Sequence, residues 1–130
     1  MPSCGQRVSM PQPLRWPWIG NLQQNKFWEG DDSVVRSIQA VLAPLLGGME
    51  AMPVISSGQW GGQAPETYAR TGSVDLMYLA GGGMISHPGG PAAGLAAICQ
   101  AWEAAVAGTP LEEYARDRVE LRQSLEKFGG

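Results

Sequence analysis

The chain has 130 residues, of which 44% are hydrophobic and 16% charged, and its formal net charge is -3. This length and apolar content suit one domain with a core, and the absence of a basic block excludes nucleic-acid binding through a broad positive surface. No run of roughly 18 apolar residues exists to span a membrane, and no apolar N-terminal segment marks a secretory signal, so we expect a cytoplasmic protein.

The beginning of the chain differs in composition from the rest. Residues 1–18 contain four prolines and no sustained hydrophobic period, so we expect this segment to be irregular. A short extended piece is predicted around Trp16–Leu22, before a polar loop. Asp31–Ser33 then offers N-caps to a helix whose apolar residues recur at helical spacing, and Gly47–Gly48 is predicted to end that helix.

Two apolar strands follow, and each ends in small residues. The first is predicted over Met52–Ser56, and the second over Asp75–Ala80, which leads into a glycine-rich loop, Gly81–Gly90. Helices are predicted between and after these strands, over residues 65–72, 91–108 and about 110–128, because each stretch has a start signal, a stop signal and an apolar face.

The alternation of strands and helices predicts an α/β fold with a parallel sheet. The strands are apolar at nearly every position, as strands covered on both faces are. Two successive parallel strands that end in donor-rich loops are the arrangement with which a (β/α)8 barrel holds phosphate after its seventh and eighth strands. Because a complete barrel needs roughly 250 residues, we expect only part of one.

The three glycines after the second strand have two interpretations. Gly81, Gly82 and Gly83 could form a tight turn, or their backbone N–H groups could bind a phosphate that approaches the main chain closely. The strand before them and the helix after them favour phosphate, because a helix N-terminus attracts anions.

The other candidate site residues are individually weak signals. Ser56, Ser57 and Gly58 could be an ordinary strand end, or they could donate hydrogen bonds to a substrate hydroxyl or carboxylate. Lys26 could be a solvated surface lysine. In a barrel, the loop that carries Lys26 lies over the mouth of the active site, where a lysine can neutralise developing negative charge.

No metal ligand set is predicted in this chain. His87 is the only histidine, and its Pro-Gly context indicates loop geometry. The two cysteines are too few for a zinc signature, and Cys99 falls in an apolar helical pattern that predicts a buried free thiol. No cluster of carboxylates resembles a cage for a divalent metal.

The two strand-end motifs together resemble a known family. They run Pro53-Val-Ile-Ser-Ser-Gly58 and Tyr78-Leu-Ala-Gly-Gly-Gly-Met-Ile-Ser-His-Pro-Gly-Gly90. They resemble the end of the large chain of ribulose-bisphosphate carboxylase/oxygenase (RuBisCO), and more closely its RuBisCO-like, or form IV, members. Ser-Ser-Gly-Gln-Trp stands here where the photosynthetic enzymes have Ser-Gly-Gly-Ile-His. The similarity covers roughly Asn25–Phe128.

The resemblance implies a partial TIM (β/α)8 barrel. Residues 19–130 are then the C-terminal part of the large-chain barrel domain and supply strands 7 and 8 with their helices. The chain could also supply a degenerate form of strand 6. Residues 1–18 are expected to be a non-homologous N-terminus, because Ile19 stands where the family has a histidine at the end of strand 6 and the neighbouring residues do not fit that strand.

The resemblance also implies roles for individual residues. Lys26 corresponds to the catalytic lysine that the family's flexible sixth loop holds over the substrate. Ser56 corresponds to the serine after strand 7 that contacts a substrate hydroxyl, and Ser57 and Gly58 adjoin it as further substrate-binding candidates.

The strand-8 glycines of the family correspond to Gly81 and Gly82, which are expected to bind the substrate phosphate through backbone N–H groups. The metal ligands of the family, a lysine, an aspartate and a glutamate on strand 2, have no counterpart in this sequence. Mg²⁺ is therefore expected in the intact enzyme but without ligands from this chain.

Two functional hypotheses follow. In the first, the chain is the C-terminal piece of a Mg²⁺-dependent enzyme that enolises a phosphorylated keto sugar or keto acid. The reaction could be an isomerisation, an enolase-type step or a decarboxylation, with ribulose-bisphosphate carboxylation less favoured. The intact enzyme is expected to be a homodimer, and this chain alone to be inactive. In the second, the chain is a non-catalytic phosphate-binding or assembly fragment with an open sheet edge.

Overall fold

The computed structural model describes residues 18–19, 31–44, 51–56 and 58–129. Three strands of two residues each form a parallel sheet in the order β1 (Trp18–Ile19), β2 (Val54–Ile55) and β3 (Met77–Tyr78). The helices of the described residues are α1 (Asp31–Leu42), α2 (Ala64–Thr71), α3 (Gly81–Ile85), α4 (Pro91–Ala107), α5 (Leu111–Tyr114) and α6 (Val119–Phe128).

The sheet agrees with the predicted order of elements, although its strands are shorter than expected. Val54 in β2 pairs with Trp18 on one side and with Met77 on the other, and both pairings are parallel. Trp18 therefore lies in a strand, within the extended piece predicted over Trp16–Leu22. Of the segment expected to be irregular, residues 1–17 lie outside the described residues. The molecule is α/β, with more helix than strand.

Helix α1 packs on the sheet through one face. Val34 and Ile38, one turn apart and fully buried, contact Ile55 of β2. The helix ends at Leu42 and does not reach Gly47–Gly48 as predicted. Pro44 accounts for the difference, because a proline disfavours helical geometry in the residue before it.

A second apolar cluster joins the C-terminal helices around α4. Its small side chains let the helices approach closely, and the ideal Cβ position on Gly61 lies 3.2 Å from the Ala101 side chain. The buried members of this cluster are Ala64, Ala101, Ala104, Leu111, Ala115 and Leu121. Helix α4 thus forms the centre against which α2, α3 and α6 pack.

The helix predicted over residues 110–128 is divided into α5, a 3-10 turn over Ala115–Asp117, and α6. Arg118 between them has extended backbone geometry. The N-terminus of α6, which the sequence did not predict, is capped by a side chain of α4. The Gln100 side chain on α4 accepts from the Leu121 N–H (3.1 Å) and donates to the Glu120 carboxylate (3.0 Å). The second hydrogen bond holds the pKa of Glu120 below its usual value.

Cys99 is disulfide-bonded and is not the free thiol that its helical context predicted. Cys99 is also half-buried where a buried residue was predicted, because local sequence context does not show which residues a side chain meets in space. No helix among the described residues is both long enough and apolar enough to cross a lipid bilayer.

Candidate functional site

The glycines after β3 begin a helix and do not form the predicted loop. Gly81 is the first residue of α3, and the Met84 N–H donates to the Ala80 carbonyl (2.9 Å) to close the first turn. Glycine has a low helix propensity, so tertiary packing determines this helix. The first N–H groups of a helix have no partner within it and carry partial positive charge. The N–H groups of Gly81 and Gly82 therefore lie close to the C-terminal end of β3, as the sequence predicted.

Neighbouring glycines in α3 have different surroundings. Gly81 and Gly82 are exposed, and an ideal Cβ on either would meet nothing within 4 Å. Gly83 is buried, and an ideal Cβ there would lie 2.7 Å from the Gln59 carbonyl oxygen and 2.8 Å from the Trp60 Cβ. Only a residue without a side chain permits this approach. The loops after β2 and β3, predicted from sequence to lie together, are thus in direct contact.

The loop after β2 contains a buried hydroxyl group. Ser56 is 4% exposed, and its Oγ has no hydrogen-bond partner within the described part of the chain. A buried hydroxyl without a partner costs about 1–3 kcal/mol, so this atom is a candidate for contact with a ligand. Gly58 follows in left-handed geometry, with a φ of 76°, and is exposed. Ser57 and Lys26 lie outside the described residues.

Tyr78 joins the two loops by a hydrogen bond. Its hydroxyl donates to the Trp60 carbonyl oxygen at 2.8 Å, across 18 residues of sequence. Its ring meets Trp102 edge-on, with ring centroids 5.3 Å apart. Burial raises the pKa of the Tyr78 hydroxyl well above its usual value, so this group stays protonated and remains a donor. No local sequence pattern predicts this contact, because it depends on which groups meet in space between distant parts of the chain.

Trp60 packs against the C-terminal helix α6. Its ring lies 5.6 Å from the Phe128 ring of α6, between centroids. Its N–H donates to the Gln63 side chain, and its carbonyl accepts from the Gln63 N–H, both at 3.2 Å. These bonds start the 3-10 turn Gly61–Gln63 that leads into α2.

His87 has a structural role that the sequence did not reveal. It is buried, its Nδ1 accepts from the Gly89 N–H (3.0 Å), and its Nε2 lies 2.9 Å from the Glu120 carbonyl oxygen. Because Nδ1 is an acceptor, Nε2 carries the proton and donates to Glu120. The turn after α3 is thereby attached to the N-terminus of α6. Helix α3 also lies close to α4, because a Cβ on Gly94 of α4 would collide with the Met84 backbone.

The described residues contain no group of three or more His, Cys, Asp or Glu side chains that could hold a metal ion. The candidate site instead offers backbone N–H groups of Gly81 and Gly82 after β3 and the buried Ser56 hydroxyl after β2.

Comparisons with known proteins identify the family of the chain. A model of the ribulose bisphosphate carboxylase large chain, catalytic domain, matches residues 23–128. The chain is 61% identical over 105 residues to a 3-oxo-isoapionate-4-phosphate decarboxylase of Rhizobium etli, and the match covers 79% of this chain and 25% of that protein. It is 50% identical over 103 residues to a 3-oxo-isoapionate-4-phosphate transcarboxylase/hydrolase of Xanthobacter autotrophicus, a match that covers 78% and 25% of the two chains.

Solved structures show the same relationship. A rubisco-like protein from Burkholderia fungorum superposes with a TM-score of 0.82 at 38% identity, over 87% of this chain and 28% of that chain. The octameric RuBisCO of Pyrococcus horikoshii, crystallised with sulfate, has a TM-score of 0.79 at 32% identity, over 88% and 26%.

The chain spans about a quarter of the length of the curated relatives described above. The resemblance drawn from the two strand-end motifs is confirmed by all these matches. The chain therefore belongs to the RuBisCO large-chain family, and its relatives include RuBisCO-like proteins.

Proposed function

We propose that this chain supplies the phosphate-binding end of a RuBisCO-like enzyme that decarboxylates a phosphorylated 3-oxo acid. In this proposal, β1, β2 and β3 are the sixth, seventh and eighth strands of a (β/α)8 barrel, and residues 19–130 are the C-terminal part of its barrel domain. The substrate phosphate is bound by the N–H groups of Gly81 and Gly82.

One observation carries the proposal. The loops at the carboxyl ends of β2 and β3 touch where Gly83 meets the Gln59–Trp60 backbone. Active sites of (β/α)8 barrels form at this end of the strands, and the last two loops commonly hold phosphate. The buried Ser56 Oγ and the exposed Gly58 lie on the facing loop, and we assign Ser56, Ser57 and Gly58 to the rest of the substrate.

The reaction class is supported by the names of the relatives. The Rhizobium etli protein is named as a decarboxylase of a 3-oxo acid phosphate. When a 3-oxo acid loses CO₂, the electron pair of the broken C–C bond moves into an enolate whose oxygen was the ketone oxygen. Protonation of the enolate carbon completes the reaction. We assign to Lys26 the neutralisation of charge that develops in this step, which a cation near the enolate stabilises.

The remaining parts of the proposal concern the intact enzyme. When bound, Mg²⁺ would stabilise the enolate oxygen in the manner of a Lewis acid, with ligands that come from outside the described residues. We propose a homodimer in the cytoplasm.

A chimera tests this function. Residues 23–128 of this chain replace the matching segment of the Rhizobium etli decarboxylase, and CO₂ release from 3-oxo-isoapionate 4-phosphate is measured. We expect the chimera to be active, and Lys26→Met in the chimera to lower kcat by about 100-fold or more. Lys127→Met, the other lysine of the chain, is the matched control and should leave kcat unchanged.

Two results would contradict the proposal. A chimera that folds and assembles like the parent but releases no CO₂ would reject the reaction class. The same segment placed in the Xanthobacter autotrophicus protein provides the comparison, since activity there alone would favour transcarboxylation or hydrolysis.

A second candidate function is a non-catalytic phosphate-binding or assembly role. Met52 and Leu79, which flank β2 and β3, are 45% and 41% exposed, a large apolar exposure beside a sheet. β3 also lies at an edge of the described sheet, and an unpaired sheet edge is a site where another chain can associate. Light scattering on the purified chain tests this role. A concentration-dependent increase in mass that Met52→Lys and Leu79→Lys abolish would support the assembly role, and a monomer at all concentrations would reject the assembly role.

A further inference from the structure

The two loops of the anion site are held together at two points. On one side, Gly83 of α3 fits against the Gln59–Trp60 backbone with no room for a side chain. On the other side, the Tyr78 hydroxyl donates to the Trp60 carbonyl at 2.8 Å. The first contact limits how closely the loops approach, and the second limits how far they separate.

Tyr78 is itself held in place. Its ring packs at the edge of the cluster formed by Val34, Ile38 and Ile55, and it meets Trp102 edge-on. A ring fixed on both sides keeps its hydroxyl at one position, so the hydrogen bond to Trp60 is defined by β3 and α4 and not by the loop. The same strand leads directly into Gly81 and Gly82.

We propose that Tyr78 is a positioning residue, which sets the spacing of the two anion-binding loops by holding the Trp60 carbonyl. This inference rests on the proposed function. In this role Tyr78 acts through its hydrogen bond to Trp60 and not by contact with the substrate. Its effect on the anion passes through the backbone from Trp60 to Gly58 on one loop and through the register of β3 on the other. Loss of the hydroxyl removes one hydrogen bond and keeps the packed ring.

The test measures binding of inorganic phosphate to the 130-residue chain by NMR titration of its backbone N–H groups. Tyr78→Phe should weaken phosphate binding about fivefold to tenfold, the change expected for a lost hydrogen bond. Tyr114→Phe is the matched control, because it removes a tyrosine hydroxyl that donates to Glu103 (3.0 Å). The control should bind phosphate within about twofold of the unmodified chain, although both variants lose a comparable hydrogen bond.

A second measurement separates positioning from general stability. Hydrogen exchange of the Gln59 and Gly61 N–H groups should accelerate in Tyr78→Phe and not in Tyr114→Phe. Equal weakening of phosphate binding in both variants, in proportion to their melting temperatures, would overturn the inference, because the hydroxyl would then act only through stability.

Gly82→Asp distinguishes this inference from the proposed function. If Gly82→Asp abolishes phosphate binding and Tyr78→Phe leaves it unchanged, the anion site stands and the role of Tyr78 is rejected. If the unmodified chain binds no phosphate, or Gly82→Asp binds it equally well, the proposed site is wrong and the role of Tyr78 is rejected with it.

Discussion

At the scale of single residues, the three consecutive glycines at the start of α3 have different surroundings. Gly83 is required by a close backbone contact, whereas Gly81 and Gly82 have open space beside them. The sequence shows three equal glycines and could not distinguish them, because the distinction comes from a loop 23 or more residues earlier in the chain. Packing therefore explains only the third glycine, and the phosphate contact that we propose is the role assigned to the first two.

Substitution of these glycines by alanine should show the difference. Gly83→Ala should reduce the free energy of unfolding by about 1–3 kcal/mol, because the new methyl group overpacks the contact with Gln59. Gly82→Ala should stabilise the chain by up to about 1 kcal/mol, since alanine favours helix and meets no neighbour. Urea denaturation of both variants measures the change. Equal changes in the free energy of unfolding of the two variants would contradict the close contact between Gly83 and Gln59.

Tyr78 should make stability depend on alkaline pH. Burial raises its pKa in the folded chain, so above the unfolded value of about 10 the unfolded state loses this proton while the folded state keeps it. The contribution of Tyr78 is thus fully present below pH about 10, and it should fall by up to about 1.4 kcal/mol per pH unit above that.

The measurement compares urea unfolding of the unmodified chain and Tyr78→Phe between about pH 8 and pH 11. The stability difference between the two should narrow as the pH rises above 10. A difference that stays constant over this range would show that the hydroxyl of Tyr78 ionises equally in both states.

At the scale of elements, local signals in the sequence predicted most of the helices. Pro91 and Gly108 bound α4 as expected, and Gly72 ends α2 in left-handed geometry. Two of the predictions that were wrong, those for α3 and for the start of α6, failed for the same physical reason. The glycines of α3 and the start of α6 depend on partners far away in sequence, and local propensity carries no information about such partners.

The capping of α6 by α4 is testable. Gln100→Ala should reduce the free energy of unfolding by about 1 kcal/mol, a typical loss for a helix cap, because the Leu121 N–H loses its acceptor. Gln123→Ala is the control, since no hydrogen bond of this side chain occurs among the described residues. Thermal unfolding followed by circular dichroism compares the two, and an equal shift in both would argue against the cap.

At the scale of the whole molecule, the family was recognisable from two motifs, but the site was only partly predictable. The sequence placed Ser56, Gly58, Gly81 and Gly82 at the ends of adjacent strands, and the structure brings their loops into contact. The hydrogen bonds that hold those loops, from Tyr78 and His87, had no local pattern to reveal them. Side-chain contacts across a sheet are set by register and rotamer, which a single sequence does not specify.

The chain alone should catalyse no decarboxylation. With Mg²⁺ and 3-oxo-isoapionate 4-phosphate, CO₂ release should equal that of a blank without protein, because the resemblance places the metal ligands in the part of the family fold that this chain does not match. The intact Rhizobium etli decarboxylase is the positive control. Turnover by this chain that a chelator abolishes would reveal a metal site within it.

The position of α3 also has a consequence for how this surface can change during evolution. Two close contacts position the helix, one from Gly83 to the loop after β2 and one from Gly94 of α4 to Met84, while Ile85 of the same helix is 65% exposed. We therefore expect substitutions at Ile85 to leave the position of Gly81 and Gly82 after β3 unchanged. The exposed surface of α3 can acquire new side chains, and with them new neighbours, while the glycine contacts preserve the geometry of the loop.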